Sequence, residues 1–137
     1  MSTLKVNTVQ HNTSGFNNVV QFTDGAGTQN GTLCRAWVNF NGEGTIAIRA
    51  DFNVNSLTDN GTGDYSVTFD NAMSDINYAT VASTSNNSGT SNTVVVVYNG
   101  TGNAPAAPST STFRMQVSAN TGEAKLDAKY VCVSVFR

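Results

Sequence analysis

The sequence predicts an all-β protein, an antiparallel β-sandwich (jelly-roll-like) with an extended N-terminal arm. Three observations predict it. Charged residues make up 12% of the 137, about half the usual share, and short uncharged polar side chains fill the gap. Ser, Thr and Asn hydrogen-bond their own backbone and favour turns and strands over helix interiors. From Cys34 onward, apolar and polar residues alternate with a period of two, and Gly-, Asn- and Pro-rich stretches punctuate the runs. No window carries a sustained 3.6-residue period, although residues 120–129 have the composition for a single helical turn.

Taken in chain order, residues 1–33 read as the arm and residues 34–137 as the packed domain. The arm opens on a strand candidate at 4–9 and continues as HNTSGFNNVVQFTDGAGTQNGT, with too few apolar residues to build its own core. In the domain, Cys34, Ala36, Val38 and Phe40 share one face of a strand, and Arg35, Trp37 and Asn39 share the other. Asn41-Gly42-Glu43-Gly44 supplies a turn that tolerates positive φ. Ile46, Ile48, Ala50, Phe52 and Val54 then line the apolar face of the returning strand. After a turn at 59–64, strands are expected from Tyr65 through Phe69 and at 76–83, 93–99, 112–119 and 128–136, with loops at 83–92 and 99–111. Val94 to Val97 is an unbroken apolar run, which predicts cover on both faces. The expected core is Ile46, Ile48, Phe52, Val67 and Phe69.

Composition also excludes functions. A net charge of −2 with seven scattered basic residues does not suit nucleic acid, whose phosphates need clustered Lys and Arg. No segment approaches the ~18–20 apolar residues of a membrane span, so no membrane insertion is expected. The start lacks the pattern of a secretory signal, which predicts a reducing cytosol and thiols rather than a disulfide at Cys34 and Cys132.

Candidate sites reduce to simpler readings. DNGTGD at 59–64 is rich in oxygen, but the calcium-loop pattern needs Gly at its sixth position and Glu at its twelfth, which are here Asp64 and Asp70. A hairpin turn explains it, and no metal or other cofactor is expected. His11 lies in the arm without a partner, and Cys34 reads as a small buried hydrophobe. The carboxylate pairs Glu43 with Asp51 and Asp70 with Asp75 fall in turns or on a polar face, so no catalytic residue is assigned and no enzyme is expected. The Asn-x-Ser/Thr triplets at Asn12, Asn30, Asn60, Asn86 and Asn99 read as turn residues. Trp37 stands with Arg35 opposite the evident core. It either covers the sandwich rim, buries against another subunit or binds a sugar face.

The stretch CRAWVNFNGEGTIAIRADFNVNSLTDNGTGDYSVTFDNAMSDINYATVAS (34–83) resembles a module of tail-fibre and other virion appendage proteins of tailed bacteriophages, marine phages especially. Three blocks carry the resemblance: CRAWVNFNGEGT at 34–45, DNGTGDY at 59–65 and FDNAMSDINYA at 69–79. The ends STLKVNTVQ (2–10) and YVCVSVFR (130–137) also resemble the ends of such proteins, whereas the loops between Ser83 and Thr112 resemble nothing identified. The resemblance implies a non-enzymatic virion protein assembled in the host cytoplasm, often a homotrimer. It presents its β-domain toward the host surface, where polysaccharide is the expected contact. The alternative is a capsid decoration or knob on the head. The arm is the expected anchor on other virion proteins, with Leu4, Val6 and Val9 adding a strand to an exposed sheet edge. Arg35 and Trp37 are the expected contacts between copies.

Overall fold

In a computed structural model of the chain, the described residues are 19–24, 27–85, 93–97, 106–119 and 124–137. They form ten strands and, among themselves, no helix. The chain divides into two compact units, Met1–Leu33 and Cys34–Arg137. In the first, β1 (Val19–Asp24) and β2 (Gly27–Thr32) pair antiparallel from Val19↔Thr32 to Asp24↔Gly27. Residues 11–32 read from the sequence as a polar stretch of the arm, with no strand candidate placed in it. The strand expected at 4–9 lies outside the described residues.

The second unit is an antiparallel sandwich. One sheet has the order β4-β3-β10-β7, built from β3 (Cys34–Asn41), β4 (Ala47–Phe52), β7 (Ala79–Thr84) and β10 (Val131–Phe136). The other has the order β5-β6-β9-β8, built from β5 (Val54–Gly61), β6 (Asp64–Phe69), β8 (Thr93–Val97) and β9 (Thr112–Ala119). Alternation on β3 buries Ala36, Val38 and Phe40, and on β10 it buries Val131, Val133 and Val135. These face Tyr65, Val67 and Phe69 of β6 and Phe113, Met115 and Val117 of β9. Full burial of each large side chain contributes about 1.5–3 kcal/mol. Phe40 and Tyr65 meet edge-on across the layers, with centroids 5.1 Å apart. Phe69, Phe113 and Tyr78 close the other end of the core. The Tyr78 hydroxyl donates to the Ser109 carbonyl at 3.0 Å, and the Met73 N–H to the Thr110 carbonyl at 2.8 Å, which ties the 70–78 loop to the approach to β9.

Val67 and Phe69 lie in the core as expected, but Ile48 and Phe52 do not. Ile46 packs only partly against the core, Ile48 is 36% exposed and Phe52 is 54% exposed. The register gives the reason. Phe52 opposes Trp37 and Ala50 opposes Asn39, but Ile48 opposes Phe40, so Arg49 is an extra residue in a β-bulge. Opposed residues share a face, and one inserted residue moves Ala50 and Phe52 to the outer side. β4 is also a sheet edge, and all six of its residues are exposed.

The expected single strand from Ile46 to Val54 is two strands in different sheets. Asn53 has a φ of 56°, a left-handed conformation that Asn adopts more readily than other side-chain-bearing residues. There the chain leaves β4 and enters β5, a strand missed from the sequence. The Asn53 amide fixes this corner. Its Nδ2 donates to the carbonyls of Arg35 (3.0 Å) and Asn71 (3.1 Å), and its Oδ1 accepts from the Asn71 N–H at 2.7 Å.

Of the run Val94 to Val97, only Val95 has a described side chain, and it packs against the core. Within 120–129, the described residues from Ala124 on are extended rather than helical, with a bridge from Lys125 to Ser118.

Candidate functional site

The two outer faces of the sandwich differ. On the β5-β6-β9-β8 sheet, the outward register positions are Ser56 opposite Thr68, Thr58 opposite Ser66, Ser66 opposite Arg114 and Thr68 opposite Thr112. These pairs of β5, β6 and β9 are polar, whereas the register of β8 sets Val94 opposite Ser118 and Val96 opposite Gln116 on the same side. On the β4-β3-β10-β7 sheet, one row across all four strands reads Phe52, Trp37, Ser134, Val81. Trp37 is 37% exposed, Phe52 54% and Val81 63%. The next row reads Ala50, Asn39, Cys132, Ser83, all short. On the other side of the aromatic row, Phe136 stands between Cys34 and Ala79.

Arg35 and Arg49 both occupy irregular positions on this sheet. Arg35 falls at the register shift where Val135 opposes Ala36 and Phe136 opposes Cys34, and Arg49 is the inserted residue of β4. Bulges re-aim side chains beside a regular ladder. The Arg49 guanidinium lies 4.3 Å from the ring centre of Tyr130 and donates to Asn41 Oδ1 at 3.3 Å. Arg35 is half-buried. The structure thus brings Arg35 and Trp37 onto one strand beside Phe52 and Val81. Leu4, Val6, Val9 and His11 lie outside the described residues. Cys34 and Cys132 are half-buried free thiols.

A second cluster gathers at the β5–β6 turn. Asp64 is buried, and its carboxylate accepts from Arg114 Nε at 2.6 Å, Arg114 Nη2 at 2.8 Å and Lys125 Nζ at 2.8 Å. The hydrogen bond from Arg114 holds the Asp64 carboxyl below the usual carboxylate range. Burial opposes that shift, and Lys125 adds to it. Beside it, Asp127 Oδ1 accepts from the Gly63 N–H and the Tyr65 hydroxyl, each at 2.7 Å. Burial, then the Asp127 carboxylate, pushes the Tyr65 phenol above its ordinary range and keeps it neutral. The Asp59 carboxylate accepts from the Gly61 N–H at 2.9 Å, and Asn60 Nδ2 donates to Ser66 Oγ at 2.8 Å. The oxygens of DNGTGD are thus engaged in holding a turn.

Elsewhere, Asp70 accepts from Asn55 and Asp75 from Arg137, while Glu43 and Asp51 are exposed in the β3–β4 turn and on β4. Among the described residues, no three His, Cys, Asp or Glu side chains come together in a way that could hold a metal ion. No described helix is long and apolar enough to cross a membrane.

Comparisons of the chain with protein-family models, with curated proteins and with solved structures find no match. Phe52 and Val81, the most exposed members of the aromatic row, were not singled out from the sequence. Val81 follows from simple alternation on β7. Phe52 was placed in the core because alternation was counted through the bulge.

Proposed function

We propose that this chain is a non-enzymatic structural protein exposed on a tailed-phage virion, resembling a tail-fibre module. Its N-terminal arm would anchor it to other virion proteins while the β-domain is presented to the host surface. The observation that carries this reading is where the three resembling blocks fall. CRAWVNFNGEGT is β3 with its turn. DNGTGDY is the β5–β6 turn held by Asp127 and Asp64. FDNAMSDINYA is the loop that seats Met73 and Tyr78 in the core. Each block specifies a backbone feature of the sandwich, and the ionised groups that gather are engaged with one another or with turn backbone. Residues that serve such features fit a scaffold rather than a reaction centre.

Antibody labelling of intact particles from the phage that encodes the chain tests this. Label on the tail is expected. Label on the head would replace the tail-fibre reading with the capsid-decoration one. Particles without label, under conditions where the isolated protein is recognised, would reject both.

A further inference from the structure

We infer that Asn60 is a self-modification site: in the folded chain its side-chain amide is lost by deamidation, with the Asp59 carboxylate as the base. The co-reactant is water. The inference does not rest on the virion reading.

Deamidation of this kind begins when the backbone nitrogen of the following residue attacks the asparagine Cγ. Glycine in that place hinders the attack least, since it has no Cβ and turns freely. Asn-Gly pairs occur at 30–31, 41–42, 60–61 and 99–100, and the last lies outside the described residues. The fold sorts the other three.

Asn30 and Gly31 sit in the regular β2 ladder, opposite Gln21 and Val20. A regular extended backbone holds the next nitrogen away from the side-chain carbon. Asn41 and Gly42 are tied at both reacting groups. The buried Gly42 donates its N–H to the Ala128 carbonyl at 2.9 Å, and Asn41 Nδ2 donates to the Glu43 carbonyl at 2.6 Å. A Cβ on Gly42 would come within 2.6 Å of the Tyr65 hydroxyl, so this peptide is packed in place.

Asn60 and Gly61 differ on each count. Both are exposed. Asp59 opposes Tyr65 and Gly61 opposes Asp64, which leaves Asn60 as an inserted residue where the ladder is broken. Gly61 has φ +120°, and a Cβ there would meet nothing within 4 Å. Its N–H donates to Asp59 Oδ1 at 2.9 Å. A carboxylate can take that proton, whereas the neutral carbonyl facing Gly42 cannot.

The step balances without oxidant or reductant. As the Gly61 nitrogen bonds to Asn60 Cγ, its proton passes to the Asp59 carboxylate. The proton then departs with Nδ2 as the Cγ–Nδ2 bond breaks, giving ammonia and a cyclic imide. Water opens the imide at either carbonyl and leaves an aspartyl or an isoaspartyl residue at position 60.

The consequence falls on the β5–β6 turn. Asn60 Nδ2 donates to Ser66 Oγ at 2.8 Å and lies 3.5 Å from Asp64 Oδ1. A carboxylate in its place donates to neither and adds a negative charge beside Asp59 and Asp64. The isoaspartyl product also lengthens the backbone at the turn. The site therefore ages the turn that Asp64 holds.

Peptide mapping by mass spectrometry tests this on the folded full chain, incubated in heavy-oxygen water at mildly alkaline pH so that the label marks imide opening. Position 60 is expected to convert about tenfold faster than positions 30 and 41, below the usual gain from a positioned base because Asp59 is open to solvent. The chain unfolded in urea is expected to lose that difference. Asp59→Asn keeps an acceptor for the Gly61 N–H but no base, and should slow conversion at position 60 about tenfold. Asn60→Asp, which installs the direct product, should lower the melting temperature by about 4 °C, the shift of one lost hydrogen bond in a domain of this size. Equal rates at 41 and 60 in the folded chain overturn the inference. So does a difference that persists in urea, or a position 60 that converts only when the chain is unfolded. A rate unchanged by Asp59→Asn overturns the role of Asp59, and an unchanged melting temperature for Asn60→Asp overturns the ageing of the turn.

Discussion

The carboxylate of Asp64 and the guanidinium of Arg114 meet through two parallel hydrogen bonds of 2.6 and 2.8 Å, from residues 50 positions apart in sequence. The pair joins β6 to β9 at their paired ends, and Lys125 adds a third bond from the segment leading to β10. Because these bonds favour the charged form, the folded-state pKa of Asp64 lies below its unfolded value. The stabilisation is therefore fully present above the ordinary value of 3.8 and is lost as pH falls from there through the folded-state value. Urea titrations between neutral pH and strong acid should show stability falling in that window. Asp64→Asn should lower neutral-pH stability by about 1.5–3 kcal/mol, the worth of hydrogen bonds to a charged group, and flatten the acid slope. An unchanged slope in the variant would assign the acid sensitivity to other carboxylates, such as the exposed Asp75 paired with Arg137.

Gly63 lies in the turn beside this cluster with φ +62°, and its position is crowded. A Cβ there would come within 2.7 Å of the backbone N and O of Leu126 and would also strike the Val117 carbonyl. Gly63→Ala should therefore destabilise the domain by about 2 kcal/mol or more, combining the left-handed penalty with overpacking. Gly44, at φ +63° with open space around it, isolates the first term. Gly44→Ala should cost only about 1 kcal/mol. Equal losses in thermal melts of the two variants would contradict the close packing at Gly63.

Much of this fold was legible in the sequence. Alternation along 34–40, the Asn41–Gly44 turn and the returning run specify the β3–β4 hairpin, and the same rule sets Trp37 opposite Ala36 and Val38. Alternation fails where one residue interrupts it. The insertion at Arg49 leaves no mark in composition, yet it moves Phe52 to the outer face. The left-handed turn at Asn53 rests on a single Asn among many. The β1–β2 hairpin was hidden by its polar composition, since Val19, Val20 and Phe22 of β1 pair with a β2 made only of Gly, Thr, Gln and Asn, which carries no apolar period. The Asp64–Arg114–Lys125 cluster joins three distant segments, and no local pattern announces such a meeting.

The edge position of β4 makes a prediction opposite to the one alternation makes. Ile48 lies on an exposed edge, so Ile48→Ala should lower stability by less than about 1 kcal/mol. Met115→Ala, at a fully buried site, should cost about 2–5 kcal/mol. Chemical denaturation ranks the two directly. A larger loss at Ile48 than at Met115 would contradict the exposure of Ile48 at the β4 edge.

The corner at Asn53 separates conformation from hydrogen bonding. Asn53→Gly keeps the left-handed conformation but loses the amide bonds to Arg35 and Asn71. Asn53→Ala loses both. Glycine should cost about 1–2 kcal/mol, and alanine about 1 kcal/mol more. Alanine equal to glycine in melting temperature would show that the bonds alone fix the corner.

We propose that the chain is a virion component attached by its N-terminal arm. The direct measurement is its copy number on purified particles, by quantitative mass spectrometry, for the full chain and for a chain lacking residues 2–12. The account predicts a fixed stoichiometry for the full chain. For the shortened chain it predicts a folded domain of nearly unchanged melting temperature that is missing from particles. Incorporation of the shortened chain at full copy number would contradict anchoring by the arm, and absence of the full chain from particles would contradict the claim itself.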